Sequence, residues 1–219
     1  MKPTPSTRRV LLFGDSLTAG SYLPEGLRPH HWVSILSGLW KDKIEFLNKG
    51  KGGRSSDCHE EFASVLGAYS APDLLVLCLG TNDSREMDGN VARRTAQNLR
   101  QMIHRARARY SPELSILLVA PPNIHPPAYT QFTLDFAEAR QANLRAIGGA
   151  IEELATGEHC ATVNLFDTLP AASLTRDGVH PDAEGNLAMA RVLAPALAPI
   201  LGISSYPSNN SPGPLPPET

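Results

Sequence analysis

Two stretches of this chain are apolar almost without interruption: Leu74-Leu75-Val76-Leu77-Cys78-Leu79, and Ser115-Ile116-Leu117-Leu118-Val119-Ala120, which ends at Pro121-Pro122. A strand with one wet face alternates apolar and polar side chains. A run without alternation needs cover on both faces, as in a parallel sheet. Three further strand candidates are Val10-Leu11-Leu12-Phe13, closed by Gly14, then Ile44-Glu45-Phe46-Leu47-Asn48, and Ala161-Thr162-Val163-Asn164-Leu165. Helical patterns lie between them. His31 to Trp40 carries Trp32, Ile35, Leu36 and Leu39; Val91 to Tyr110 carries Leu99, Met102, Ile103 and Ala106. Phe132 to Thr156 carries Phe136, Leu144, Ile147 and Ile151; Asp182 to Leu201 carries Leu187, Ala190, Leu193 and Leu197. Apolar steps of three and four residues make these amphipathic helices that pack on a sheet. Strand–helix alternation along the chain predicts an α/β, doubly wound domain. Ligands of such sheets bind beyond the carboxyl ends of the strands, so chemistry is expected after the first three.

The 219 residues are 42% hydrophobic and 19% charged, enough for one well-buried core. One domain is expected over residues 1–203. Residues 204–219, rich in Pro, Ser and Asn, are expected to be a disordered tail. A net charge of -2 argues against a nucleic-acid partner. No apolar run approaches the ~18–20 residues of a membrane span, so no membrane insertion is expected. The first residues lack the apolar region of a secretory signal, which predicts a cytoplasmic protein; a mature secreted form would read the same. Cys58, Cys78 and Cys160 form neither a disulfide framework nor a zinc pattern. The histidines outside His180 show no metal-ligand spacing, so no metal is expected. The arginines around Arg93 to Arg109 read as a solvated helix face. The pattern specifies no oligomeric state.

Four polar clusters stand out, and three of them directly follow strands. Gly14-Asp15-Ser16-Leu17-Thr18-Ala19-Gly20 follows the first strand and exposes Ser16 at a strand-to-helix turn; a capping serine is the plainer reading. Asn48-Lys49-Gly50-Lys51-Gly52-Gly53-Arg54-Ser55-Ser56 follows the second, and its glycines admit close backbone approach. It also reads as an ordinary loop with a helix starting at Ser55 or Ser56. Gly80-Thr81-Asn82-Asp83 follows the third and offers the Asn82 amide, or a simple Asx turn. Asp177-Gly178-Val179-His180-Pro181 precedes the last helix; a tight turn would bring Asp177 to the His180 imidazole. Together they supply what acyl transfer needs. Ser16 attacks, His180 takes its proton and Asp177 orients the ring. The backbone N–H groups of Ser16 and Gly53 and the side chain of Asn82 form an oxyanion hole.

Gly-Asp-Ser-Leu, Asn-x-Gly-x-x-Gly, Gly-Thr-Asn-Asp and Asp-x-x-His-Pro occur in that order at Ser16, Gly53, Asn82 and Asp177/His180. In this the chain resembles the SGNH (GDSL) hydrolases, a superfamily of esterases and lipases, over about residues 8 to 201. The resemblance implies a three-layer α/β/α flavodoxin-like fold with five parallel strands in the order 2-1-3-4-5. It also implies the roles just assigned, with neither cofactor nor metal. The Gly53-Arg54-Ser55-Ser56 loop is similar to that of an arylesterase or acyltransferase-like branch. Asp15 and Asp83 are expected to be structural acceptors in their loops.

The function expected is hydrolysis of a small acyl ester. Carbohydrate O-acetylesterase, acyl-thioesterase and lysophospholipase activities remain open on the same fold. A different class, a flavodoxin-like phosphate-binding module, would leave the Asp177–His180 pair without a purpose. Leu17, Thr18, Asn123 and Val179 are expected to line the substrate pocket, and the segment from Pro121 to Tyr129, with Phe132, to wall it. The strands and helices leave little length for a lid, and the longest loops on this edge, Ser16–His30 and Pro121–Thr130, carry stiffening prolines. Acyl chains from acetyl to butyryl are therefore expected.

Overall fold

The computed structural model describes residues 7–125 and 133–203. The proposed tail at 204–219, and the part of the pocket wall from Pro126 to Phe132, lie outside them.

Five strands form one parallel sheet: β1 (Arg8–Gly14), β2 (Ile44–Gly50), β3 (Leu74–Cys78), β4 (Ile116–Ala120) and β5 (Ala161–Asn164). Their order is β2-β1-β3-β4-β5, and every neighbouring pair is parallel. Parallel neighbours cannot be joined by hairpins, so helices cross between them. These helices are α1 (Ser16–Ala19), α2 (Trp32–Leu39), α3 (His59–Ala68), α4 (Val91–Arg109), α5 (Leu134–Gly157) and α6 (Ala183–Ile200).

Alternate residues of the central strands feed two cores. On one face Val10, Leu12, Val76, Leu117 and Val119 meet Trp32 and Leu36 of α2 and Met189, Leu193 and Leu197 of α6. On the other, Leu11, Phe13, Leu75, Leu77, Ile116 and Leu118 meet Phe62 of α3, Met102 and Ile103 of α4, and Ile147 and Ile151 of α5. All five residues of β3 and all five of β4 are buried, which is why neither strand alternates. The result is three layers, helix on sheet on helix.

Two expectations need correction. The loop after β2 does not start a helix at Ser55 or Ser56; α3 begins at His59. Nor is Ser16–His30 a bare loop. It contains the single turn of α1 and a 3-10 helix at Glu25–His30 that carries Pro29. The proline stiffens a structured segment.

Candidate active site

β1 delivers the chain to the carboxyl edge of the sheet, where Gly14 pairs with Gly50 of β2 and Cys78 of β3. Gly14 is required by space. A Cβ there would lie 2.1 Å from Thr18 Oγ1 and 2.6 Å from the Cys78 carbonyl. The next residue, Asp15, is the helix cap, correcting the reading of Ser16 as a cap. Its side chain accepts from the Leu17 N–H at 2.9 Å, and its carbonyl accepts from Thr18 and Ala19. Ser16 is thus the first residue of α1, partly exposed at the sheet edge. The helix is held from behind: the Leu17 carbonyl accepts from His31 Nε2 at 2.9 Å and from Trp32 Nε1 at 2.8 Å.

Asp177 and His180 lie in a tight turn before α6. Asp177 Oδ1 accepts from the Thr175 hydroxyl at 2.8 Å, the Val179 N–H at 2.8 Å and the His180 N–H at 3.0 Å. Oδ2 faces His180 Nδ1 at 2.5 Å. A carboxylate only accepts, so Nδ1 carries the proton and Nε2 presents a lone pair. Nε2 lies 2.9 Å from Ser16 Oγ, across 164 residues of sequence. Burial works to raise the Asp177 carboxyl. The side chain and N–H of His180, the Val179 N–H and the Thr175 hydroxyl outweigh it and hold the group well below the usual carboxylate range.

Gly53 and Asn82 lie beyond the ends of β2 and β3, on either side of Ser16. Gly53 has φ +74°, a conformation that glycine adopts freely, and is exposed. Asn82 Nδ2 donates to the Arg54 carbonyl at 3.0 Å. Its second N–H, and the backbone N–H groups of Ser16 and Gly53, donate to nothing among the described residues. The two loops are tied to one another. Asp83 accepts from the Ser56 N–H at 3.1 Å, from the Ser56 hydroxyl and from the Thr95 hydroxyl. Asp15 and Asp83 are both buried acceptors, and burial, with Asp83 adding to it, pushes the Asp15 carboxyl up to about 6.

The proposed pocket-lining residues are placed differently. Leu17 and Thr18 are 0% and 1% exposed, beneath the surface that Ser16 presents. Asn123, 3% exposed, binds loops together: its Oδ1 accepts from the Asp167 N–H at 3.1 Å and its Nδ2 donates to the Leu169 carbonyl at 3.3 Å. Val179 packs with Ile124, Leu144 and Phe166. All four residues are buried in this structure. Three residues were not foreseen in these roles. Arg54 is buried beneath the Gly53 loop. The Tyr22 ring packs on His180, and Asn186 binds the Tyr22 hydroxyl. Among the described residues no group of three or more His, Cys, Asp or Glu could hold a metal ion, and no helix is long and apolar enough to cross a membrane.

This arrangement joins a hydroxyl, an imidazole and a carboxylate in one line, beside free N–H donors. Comparisons with known proteins bear on it. The GDSL-like Lipase/Acylhydrolase family model matches residues 12–188. The isoamyl acetate-hydrolyzing esterase 1 homolog of Bos taurus is 25% identical over 81% of this chain and 76% of its own length. The Mus musculus homolog is 25% identical over 86% of this chain and 81% of its own. Among solved structures, a carbohydrate acetylesterase family member from Sinorhizobium meliloti superposes with TM-score 0.71 at 24% identity, covering 90% of this chain and all of that one. A mutant of Axe2, an acetyl-xylooligosaccharide esterase from Geobacillus Stearmophilus, gives TM-score 0.65 at 19% identity, over 92% of this chain and 98% of that one. With a match that spans most of the domain and strand order 2-1-3-4-5 beneath it, the chain belongs to the GDSL-like lipase/acylhydrolase family of the SGNH superfamily and is a carboxylic ester hydrolase.

Proposed function

We propose that the protein hydrolyses small acyl esters, acetyl to butyryl, through an acyl-enzyme on Ser16. The observation that carries this reading is the line from Ser16 Oγ to His180 Nε2 at 2.9 Å and from Nδ1 to Asp177 Oδ2 at 2.5 Å. Ser16 Oγ attacks the ester carbonyl as its proton passes to His180 Nε2. Asp177 keeps the imidazole in the accepting tautomer and favours the imidazolium that forms. The tetrahedral oxyanion is held by the N–H groups of Ser16 and Gly53 and by the free N–H of Asn82. As the intermediate collapses, the leaving alkoxide takes the proton from Nε2 and departs as the alcohol. Water then gives its proton to Nε2 and attacks the acyl carbon. Collapse of the second intermediate returns the proton to Ser16 and releases the carboxylic acid.

The acetyl preference is supported by names. Isoamyl acetate and acetylated carbohydrate appear in those of the relatives and fold neighbours. Carbohydrate O-acetyl hydrolysis is the second reading, favoured by the same neighbours. Each buried methylene adds about 0.8 kcal/mol until a pocket is full, so kcat/KM locates the pocket's limit. A p-nitrophenyl ester series from acetyl to palmitoyl, beside acetylated xylo-oligosaccharides, is the test. The maximum is expected at four carbons or fewer; a maximum at eight or more rejects the small-ester reading. Labelling by a fluorophosphonate is expected at Ser16 and absent in Ser16→Ala, and label on another serine rejects the nucleophile.

A further inference from the structure

Among the described residues, a side chain with no assigned chemical role packs against the imidazole itself. The Tyr22 ring lies against the His180 ring with centroids 4.6 Å apart and planes 31° apart. Its place follows from the local chain. Gly20 closes α1 in the left-handed region at φ +70°, and the Leu23 N–H returns to the Gly20 carbonyl at 3.2 Å. Buried Leu23 anchors that turn, which presents Tyr22 toward the Asp177–His180 loop.

The far end of the ring is fixed as well. The Tyr22 hydroxyl donates to Asn186 Oδ1 at 3.3 Å. Asn186 is fully buried on α6. Its Oδ1 also accepts from the Trp32 N–H at 3.1 Å, and its Nδ2 donates to the Pro181 and Asp182 carbonyls at 3.1 and 2.8 Å. One amide therefore holds the ring above His180 and the backbone just after His180. The His31 ring backs Tyr22 edge-on at 6.4 Å.

We infer that Tyr22 is a positioning residue for His180: its ring, pinned through Asn186, fixes the imidazole plane and favours the imidazolium over the neutral ring. This rests on the reading of His180 as the general base. The face of an aromatic ring is negative and attracts a cation within about 6 Å of its centroid. The charged groups that also bear on His180 are Asp177 on its own turn and Asp15 at the cap of α1. Tyr22 adds no formal charge, since burial pushes its phenol well above the ordinary range. Its effect comes from the ring face.

The test is the pH profile of kcat and kcat/KM with p-nitrophenyl acetate for the wild type, Tyr22→Phe and Tyr22→Leu, each checked for folding by circular dichroism. Tyr22→Phe keeps the ring and is expected to keep the acid limb in place. Tyr22→Leu removes the face that favours the cation, so its acid limb is expected about half a pH unit lower. Its kcat is expected to fall roughly threefold or more, because the imidazolium forms in the transition state. If Tyr22→Leu does not fold, Tyr22→Met makes the same comparison. An unmoved limb in the non-aromatic variant, with or without a fall in kcat, overturns the inference. So does a Phe variant that shifts as far as Leu. His180→Ala is measured in parallel. Activity surviving there sinks the base itself, whereas activity lost there beside an unmoved limb in the Tyr22 variants sinks only the role of Tyr22.

Discussion

Arg54 donates from Nη1 to the Gly14 carbonyl at 2.7 Å, fastening the loop after β2 to the strand end that carries Ser16. The same nitrogen reaches the Lys49 carbonyl at 2.5 Å, and Nε and Nη2 hold Glu61 Oε2 at 3.2 and 3.1 Å. The guanidinium also covers the Phe13 ring at 4.1 Å. The Arg54 carbonyl in turn accepts from Asn82. One residue thus couples all three loops around Ser16, and a rigid guanidinium fork suits that task better than a single ammonium.

Arg54→Met is therefore expected to injure catalysis more than its distance from the reacting atoms suggests. It removes one donor from the Lys49 carbonyl and one from the Gly14 carbonyl, which keeps the Lys51 N–H at 3.1 Å, and a carbonyl left dry and unpaired costs about 1–3 kcal/mol. Misplacing Gly53 and Asn82 by an ångström is expected to lower kcat roughly 10- to 100-fold. Steady-state kinetics with thermal melts checks both parts. A variant with wild-type kcat and melting temperature removes Arg54 from the support of the site.

Asn82→Ala is expected to lower kcat roughly 10²- to 10³-fold with little change in KM, as for loss of one oxyanion donor. The amide has two N–H groups, and one is spent on the Arg54 carbonyl. The alanine variant therefore also loosens the loop. Asn82→Asp keeps the size but removes both donors and adds a negative charge beside the developing oxyanion, so it is expected to be no better. Wild-type kcat in either variant places Asn82 outside the oxyanion hole.

Much of this was legible in the chain, for identifiable reasons. The central strands are apolar on consecutive positions because α2 and α6 cover one face and α3 to α5 the other. That burial cannot be hidden by the local sequence. Ser16, Gly53 and Asn82 each lie within four residues of the end of β1, β2 or β3, so topology alone brings them to one edge. The start of α3 is poorly marked because only Phe62 and Leu66 are buried on it, too thin a stripe beside Glu60 and Glu61 to set its first turn. Leu17, Thr18 and Val179 neighbour Ser16 or His180 in sequence but are buried. One helical turn and one tight loop are enough to direct such neighbours inward. Tyr22 and Asn186 lie 164 residues apart, and their pairing exists only once α6 packs beside α2.

Asp177→Asn is expected to lower kcat by about 10⁴, less than the loss of Ser16 or His180, since the carboxylate orients the ring and does not react. Its pH behaviour has a definite sign. A carboxyl lowered in the folded state adds stability above its unfolded pKa of about 3.9 and loses it as pH falls through the folded value. Asp177 is lowered, so the melting difference between wild type and Asp177→Asn is expected to shrink as pH falls below about 4, where the carboxylate begins to protonate in the unfolded chain. A difference that does not shrink between about pH 4 and 2.5 contradicts a lowered Asp177 carboxyl.

Asp15 has the opposite sign. Burial, its first cause, raises the carboxyl to about 6, while the Leu17 N–H and Thr81 only partly offset that. Between about pH 4 and 6 the unfolded chain has released a proton that the folded chain keeps. Stability from this group is then greatest in acid and falls as pH rises through the window, by an amount of the order of 3 kcal/mol. Asp15→Asn cannot ionise, yet its amide oxygen still accepts from Leu17, so the cap of α1 survives. Relative to wild type, the variant is expected to gain stability as pH rises from 4 to 7, by a few degrees of melting temperature. Every other titrating group is common to both proteins and largely cancels in the difference. Thermal melts of the pair at half-unit steps decide the matter: a difference that is flat with pH, or that narrows toward neutrality in favour of the wild type, shows that Asp15 is ionised throughout.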